Sequence, residues 1–387
     1  MTNLVIMVGP VASGKSTLAN NIKNVYERNG QKTIIVSSDQ IRVDLYGDIN
    51  DQTHNDEVFK EVRRRINNCI GKMNVIVDAT SINVKSRIPL LDLVRKNSDV
   101  RKIAMVMTTP EPVCKMLNRK RERKVPEYVI DKQIGNFEIP FYEEGFDEIN
   151  LIDWNSGYFS YAKDELIRTI VDKDVIQDFM RGFDQCNSHH KYTLDVHCQK
   201  CAEEVAKRTD NEILIRAAEI HDYGKMLTQE EKPDGSGECR YYSHHNKGCY
   251  ELMHPLAWVG FEDYDKCLEC LFYVNFHMLP FFIETEKAQK KWEKIMGKEK
   301  LDKLYGYFTM IIVDECHRAG AKSYEVLNNF PARYRLGLTA TKMRNDGLVD
   351  VVDLICGHTV FDGTLMDTDV IIPAKNIHII KCNSNVF

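Results

Sequence analysis

Basic charge is in short supply: 52 Lys and Arg stand against 57 Asp and Glu, a formal net charge of -5 with histidines neutral. No global cationic surface advertises nucleic acid, so any such contact has to come from a local patch. Long apolar runs are also missing. The longest, CLFYVNFHMLPFFI, is interrupted by Asn275, His277 and Pro280, which excludes it as a membrane span, and no membrane partner is expected. The opening stretch MTNLVIMVG lacks a basic n-region and is not expected to serve as a signal peptide. The 12 cysteines follow no short disulfide framework, which suits free thiols in a reducing cytoplasm, and a cytoplasmic location is expected. Low-complexity linkers and internal repeats are absent as well. What remains, 387 residues that are 43% hydrophobic and 28% charged, suffices for two or three soluble domains.

Residues 1–155 alternate apolar strands with amphipathic helices. NLVIMVG, KTIIVSSD, MNVIVDAT and VRKIAMVMTT read as buried strands, and KSTLANNIKNVYERNG and FKEVRRRINNCIGK as helices. That order predicts an α/β region with a parallel, doubly wound sheet. Over 156–305 strand signals thin out, while runs such as AKDELIRTIVDKDVIQDFMRGF and TLDVHCQKCAEEVAKRT indicate an all-α bundle. Over 306–387 strands return with YFTMIIVDE, YRLGLTAT and NIHIIKC. The expectation is a multidomain chain with boundaries near 155/156 and 305/306.

Gly9, Gly14, Lys15 and Ser16 fit G-x-x-x-x-G-K-[ST] between a predicted strand and helix, the context that gives the motif its meaning. With Ser13 and Thr17 these residues form the expected nucleotide-binding set. Backbone N–H groups cradle phosphates there, Lys15 reaches the β/γ-phosphates of ATP, and the Ser16 hydroxyl ligates Mg²⁺. The next strand runs into SSDQIR. A carboxylate at that strand end faces the γ-phosphate, so Asp39 is the candidate general base. The plainer role, an aspartate at a helix start, is compatible with it. Arg42, one turn on, is placed to hold an acceptor phosphate. Asp78, at the strand end in NVIVDAT, is the candidate carboxylate supporting the Mg²⁺ from behind its direct ligands, and Asn83 and Arg87 follow as substrate-binding candidates. The run NRKRERKVPEYVI reads either as a solvated helix face or as a basic lid, with Arg121 the arginine that enters the site.

GPVASGKST, SSDQIR, VDATSIN and NRKRERKVPEYVI followed by EGFDEI resemble the 5′-polynucleotide kinase family of phage and bacterial end-healing enzymes, over about residues 1–155. The resemblance implies that Asp39 activates a 5′-hydroxyl, Arg42 reads the neighbouring phosphate and Arg121 is the lid arginine. Leu117 departs from it, standing where family members can carry a further basic residue.

The helical middle supplies His197, the pair His221-Asp222, His244, His245 and His277, with His189-His190 upstream and unplaced by the pattern. Imidazoles and a carboxylate on successive helices can converge on a divalent metal. The series resembles the HD superfamily of metal-dependent phosphohydrolases. That resemblance implies an α-helical bundle in which His197, His221 and Asp222 are the firmest ligands of a divalent ion of unknown identity. His245 and His277 would complete the set or touch phosphate, Asp222 would be catalytic, and Lys225 would bind substrate phosphate. The pairs Cys198/Cys201 and Cys267/Cys270 lie too far apart in sequence for the usual zinc spacing, and a structural zinc joining them is not expected.

VDECHR and LGLTAT near the carboxyl terminus resemble motifs II and III of superfamily 2 helicases. Asp314, Glu315, Thr339 and Thr341 would carry those motifs. No second G-K-[ST] precedes residue 314, and ATKMR replaces the usual ATP-x-R. Residues 306–387 are therefore expected to be a partial α/β, RecA-like fragment rather than a motor using Lys15. Together the expectation is a nucleic-acid end-processing enzyme. It would phosphorylate 5′-hydroxyl ends of RNA or DNA with ATP and Mg²⁺, and carry an HD phosphohydrolase. The alternatives are a nucleoside or small-molecule kinase with an HD nucleotidase, and a helicase-related nucleic-acid-binding protein. Oligomeric state is left open.

Overall fold

Strands that are apolar without alternation need cover on both faces, and the first runs of this chain obtain it from flanking helices. The computed structural model describes residues 1–155, 158–166, 174–186, 192–283, 285–308, 310–314, 334–338 and 377–380. The chain divides into two units, Met1–Phe276 and His277–Phe387.

The first unit opens with β1 (Thr2–Val8), α1 (Lys15–Arg28), β2 (Thr33–Ser37), α2 (Ser38–Tyr46), α3 (Asn55–Cys69), β3 (Asn74–Asp78), α4 (Val84–Leu91), β4 (Val100–Met107), α5 (Glu111–Lys120) and α6 (Glu127–Ile134). β5 (Glu148–Asn155) and β6 (Tyr158–Tyr161) complete a six-stranded sheet in the order β2-β3-β1-β4-β5-β6. Pairing is parallel from β2 to β5, with Leu4 opposite Val75 and Thr2 opposite Val100. β6 runs antiparallel on the edge. Leu4 to Val8 are fully buried. On one face of the sheet, Leu18 and Ala19 of α1 pack with Val5, Met7, Ile76 and Met105. The first four strands and the first helix lie where the sequence placed them. β5 was not anticipated, because Glu148, Asn150 and Asp153 break up the apolar run of EINLIDWN; its core is carried by Ile149, Leu151 and Ile152.

The helical part follows with α7 (Ala162–Leu166), α8 (Asp174–Met180), α9 (Leu194–Ala206), α10 (Glu212–Ile220), α11 (Lys225–Thr228), the two-residue strands β7 (Glu230–Glu231) and β8 (Cys239–Arg240), α12 (His244–Met253) and α13 (Tyr264–Phe276). Cys249, Tyr250, Leu271, Phe272, Tyr273 and Val274 form its interior. This bundle packs within the same unit as the sheet, so the sequence boundary at 155/156 remains a proposal about segments, as does that at 305/306.

The second unit contains α14 (Glu286–Met296) and α15 (Lys298–Phe308), separated by Gly297, and β9 (Met310–Asp314), β10 (Tyr334–Leu338) and β11 (Ile377–Ile380). β10 pairs parallel with β9 and antiparallel with β11. Asp314 is the last residue of β9; Glu315, Thr339 and Thr341 lie outside the described residues. Among the described residues no helix is long and apolar enough to cross a membrane.

Candidate functional site

The loop between β1 and α1 is built for an anion. Gly9 sits at φ 151°, and a Cβ there would meet the Ser13 Oγ at 2.9 Å and the Met107 Cβ at 3.0 Å, so the tight turn off β1 requires glycine. Gly14 caps α1 with no side-chain bond, and the first turn of α1 holds no acidic residue. By contrast α2 is capped by Ser37 and α4 by Asn83. The first N–H groups of α1 are thus left to a ligand, and the helix dipole favours a negative one. Lys15 Nζ donates to the Pro10 carbonyl at 2.6 Å, within the same loop. Ser16 Oγ donates to Asp78 Oδ2 at 2.8 Å. Two oxygen donors at contact distance form the hard set that Mg²⁺ takes, so the residues fit the ion that a P-loop kinase uses.

Gly14, Lys15, Ser16 and Asp78 line a cavity of about 730 Å³ that also touches Thr17, Asp39, Arg42, Leu117, Arg121 and Arg123. Asp39, 44% exposed at its side chain, accepts from Arg42 Nη1 at 3.2 Å and from Arg123 Nη1 at 2.8 Å. Arg42 is buried and also donates to the Asp51 carbonyl and to Asn55 Oδ1, so three of its five N–H groups hold the protein itself. Arg121 is also part of the lining. Arg123, which the sequence presented only as part of a basic run, is the arginine of that run that grips Asp39.

Two expected substrate contacts do not belong to this cavity. Arg87 is fully buried. Its Nε and Nη2 form a bidentate pair with Glu144 at 2.8 and 2.6 Å, and its Nη1 donates to the Ser81 and Glu138 carbonyls. With four of its five N–H groups so used and the side chain outside the cavity lining, the expectation is corrected: Arg87 ties α4 to the segment before β5. Asn83 caps α4 by accepting from the Ser86 N–H in a reciprocal capping box, which gives it a structural task outside the cavity lining.

Lys15 is pulled down to about 8, chiefly by burial, with Asp78 the main opposing influence. A triphosphate needs the ammonium charged. Nucleotide affinity is therefore expected to be flat below pH about 8 and to fall above it by up to about tenfold per pH unit, until the pKa of the bound state is reached. Titration with a fluorescent ATP analogue across this range checks it, and Lys15→Met should flatten the profile.

A second constellation lies in the helical part. Asp222, just after α10, is buried, and its Oδ2 lies 3.3 Å from His197 Nε2, 3.2 Å from His221 Nε2 and 2.8 Å from Lys225 Nζ. Its Oδ1 lies 3.1 Å from His244 Nε2. Lys225 Nζ also donates to Gln185 Oε1 at 2.8 Å. Burial would raise the Asp222 carboxyl, but His221, His197 and His244 outweigh it and hold it well below the usual carboxylate range. His221 is lifted well above the ordinary imidazole value despite burial, through Asp222 and Cys198. His197, His221, Asp222 and Lys225 thus lie together. The carboxylate's partner on α12, however, is His244 rather than His245. His245 stands edge-on to His244 with ring centres 5.5 Å apart, and is pulled down to about 3 by burial and by His244. His277 opens the second unit; His189 and His190 lie outside the described residues. Gly224 explains why glycine follows the pair: a Cβ there would meet the His244 carbonyl oxygen at 1.9 Å, so only glycine lets α12 pack close enough to deliver His244.

α12 also reaches the phosphate loop. Tyr250 donates to the Thr109 carbonyl at 2.7 Å, and the Thr109 hydroxyl donates to the Ser13 carbonyl at 2.8 Å. Gln133 of α6 accepts from the Val11 N–H at 2.7 Å, and Asn246 of α12 donates to the Gly135 carbonyl at 2.7 Å. The bundle is hydrogen-bonded to the loop's scaffold.

Comparison with known proteins bears mainly on the amino-terminal region. A family model described as an AAA domain, AAA_33, matches residues 4–140, and one described as the res subunit of type III restriction enzymes matches residues 279–344. A curated protein of Acanthamoeba polyphaga mimivirus, named as a bifunctional polynucleotide phosphatase/kinase, is 26% identical over 156 residues, 38% of this chain and 32% of its own. The chain thus spans about a third of the length of that relative. A chain in the structure of the Pnkp1/Rnl/Hen1 RNA repair complex is 25% identical at a TM-score of 0.29, over 34% of this chain and 42% of its own. A gluconokinase from Sinorhizobium meliloti 1021 is 17% identical at a TM-score of 0.29, over 40% and 83%. The AAA_33 match falls on the amino-terminal α/β region with its mostly parallel sheet.

Proposed function

We propose that this chain phosphorylates 5′-hydroxyl ends of RNA or DNA with ATP, and that its helical part is an HD-type phosphohydrolase. The observation that carries the kinase reading is one cavity lined by an uncapped helix terminus, Lys15, the Ser16–Asp78 pair and the Asp39 carboxylate. The name of the mimivirus relative favours a polynucleotide acceptor.

In this reading Gly9, Ser13, Gly14 and Thr17 shape the phosphate cradle and Lys15 neutralises the transferred group. Ser16 and Asp78 hold Mg²⁺, which supplies charge neutralisation across the β- and γ-phosphates when bound. Asp39 accepts the proton of the incoming hydroxyl. Each of its oxygens keeps a second lone pair beside the arginine that it already binds. Arg42 spends its remaining N–H groups on the acceptor's phosphate, and Arg121 and Arg123 close over the reacting centre. In the bundle, His197, His221 and Asp222 hold a divalent ion, which supplies Lewis-acid activation of a water. Lys225 would trade Asp222 for a substrate phosphate. Residues 306–387 are read as a helicase-related fragment without its own nucleotide site, and the protein as cytoplasmic.

The test is end-group analysis of 5′-hydroxyl RNA and DNA after incubation with γ-labelled ATP, with free nucleosides as competing acceptors. Label on the oligonucleotide end supports the reading; transfer to nucleosides alone supports a small-molecule kinase. Asp222→Asn is expected to leave this transfer within about twofold of wild type while removing metal-dependent phosphoester hydrolysis, because additivity holds for independent sites. Loss of both activities in a folded Asp222→Asn protein would contradict the two-site account.

A further inference from the structure

Cys201 has no part in the hydrolase reading above, yet it stands beside that cluster. His197 and Cys201 are four residues apart on α9, so they share one face a turn apart. The Cys201 Sγ is 3.8 Å from His197 Nε2. One donor atom each from His197, Cys201 and His221 all lie within 4.8 Å of one another. Tetrahedral zinc, with Zn–S about 2.3 Å and Zn–N about 2.0–2.1 Å, sets S and N roughly 3.5 Å apart, and N and carboxylate O roughly 3.3 Å apart. The two imidazole nitrogens are 3.3 and 3.2 Å from Asp222 Oδ2. Those three spacings, from Cys201 to His197 and from Asp222 to His197 and His221, lie close to the edges of a zinc tetrahedron.

The orientation of His221 supports this. Its Nδ1 lies 2.8 Å from the Ala218 carbonyl, the outer contact that fixes a ligating histidine and directs Nε2 to the ion. Cys201 is half-buried, whereas Cys198 on the neighbouring turn is fully buried.

Resting on the HD reading, we infer that Cys201 supplies a thiolate to the ion held by His197, His221 and Asp222, and that the site therefore selects zinc over Mg²⁺ or Mn²⁺. Zinc binding releases the thiol proton and the imidazole protons to solvent. Soft thiolate favours zinc, while Mg²⁺ and Mn²⁺ prefer all-oxygen sets. The water of the hydrolase reading would then take a fifth position, an expansion that zinc accepts, with the substrate phosphate on Lys225.

The experiment strips the full chain with a chelator and reloads it with cobalt(II). A sulfur-to-cobalt charge-transfer band in the near ultraviolet is expected in the wild type and in Cys198→Ser, and absent from Cys201→Ser. Zinc affinity, measured by competition with a chromophoric chelator, should fall at least tenfold in Cys201→Ser, with the fold verified by circular dichroism. Cobalt bound without the band, or a band lost only in Cys198→Ser, overturns the inference while leaving the hydrolase reading intact. Failure to bind cobalt or zinc at all overturns both.

Discussion

Asp39→Asn is expected to cut phosphoryl transfer to a 5′-hydroxyl end by about 10²–10⁴ in kcat, the usual contribution of a positioned general base. The KM for ATP should stay near wild type, because Lys15, Ser16 and the terminus of α1 are untouched. Steady-state kinetics with a labelled oligonucleotide give both quantities. A competing explanation is that Asp39 serves only as counterion to Arg42 and Arg123, which it meets at 3.2 and 2.8 Å. In that case the substitution would loosen the two arginines, raise the KM for the polynucleotide and leave kcat nearly unchanged. The split between kcat and KM separates the roles.

Arg87→Ala should destabilise the first unit by about 3–5 kcal/mol, the cost of breaking a buried ion pair from one side. Burial already pushes the Glu144 carboxyl above its usual range against the pull of Arg87, and removing the guanidinium also takes away a donor to the Ser81 and Glu138 carbonyls. Urea unfolding followed by far-ultraviolet circular dichroism measures the loss. Arg87→Met combined with Glu144→Leu should recover much of it, since a buried pair replaced by apolar groups of similar size is often neutral. If Arg87 gripped substrate, as its position in the sequence suggested, Arg87→Ala would fold normally and raise the KM for the acceptor instead.

Arg87 also shows what a sequence conceals. An arginine three residues into a helix can face a cavity or the interior, and its partner Glu144 lies 57 residues on with no pattern joining them. The phosphate loop, in contrast, was legible, because glycine spacing, strand and helix fall within about twenty residues and backbone geometry does the binding. The pair His221-Asp222 was legible for the same local reason. His244 was not separable from His245, since neighbours on a helix differ by about 100° in direction and only the docked α12 decides which one meets Asp222. β5 escaped because its polar residues Glu148, Asn150 and Asp153 interrupt an otherwise buried strand. Arg123 escaped because a run of five basic residues gives no sign of which one finds a carboxylate.

Central to this account is a single cavity that sets the terminal phosphate of ATP before the Asp39 carboxylate. A crystal structure with a non-hydrolysable ATP analogue, Mg²⁺ and a 5′-hydroxyl oligonucleotide measures that placement directly. The account predicts the triphosphate on the amino terminus of α1 against Lys15, the ion between Ser16 and Asp78, and the 5′-hydroxyl within hydrogen-bond distance of Asp39. A triphosphate bound by other residues, or a 5′-hydroxyl remote from Asp39 with the terminal phosphate correctly seated, would contradict it.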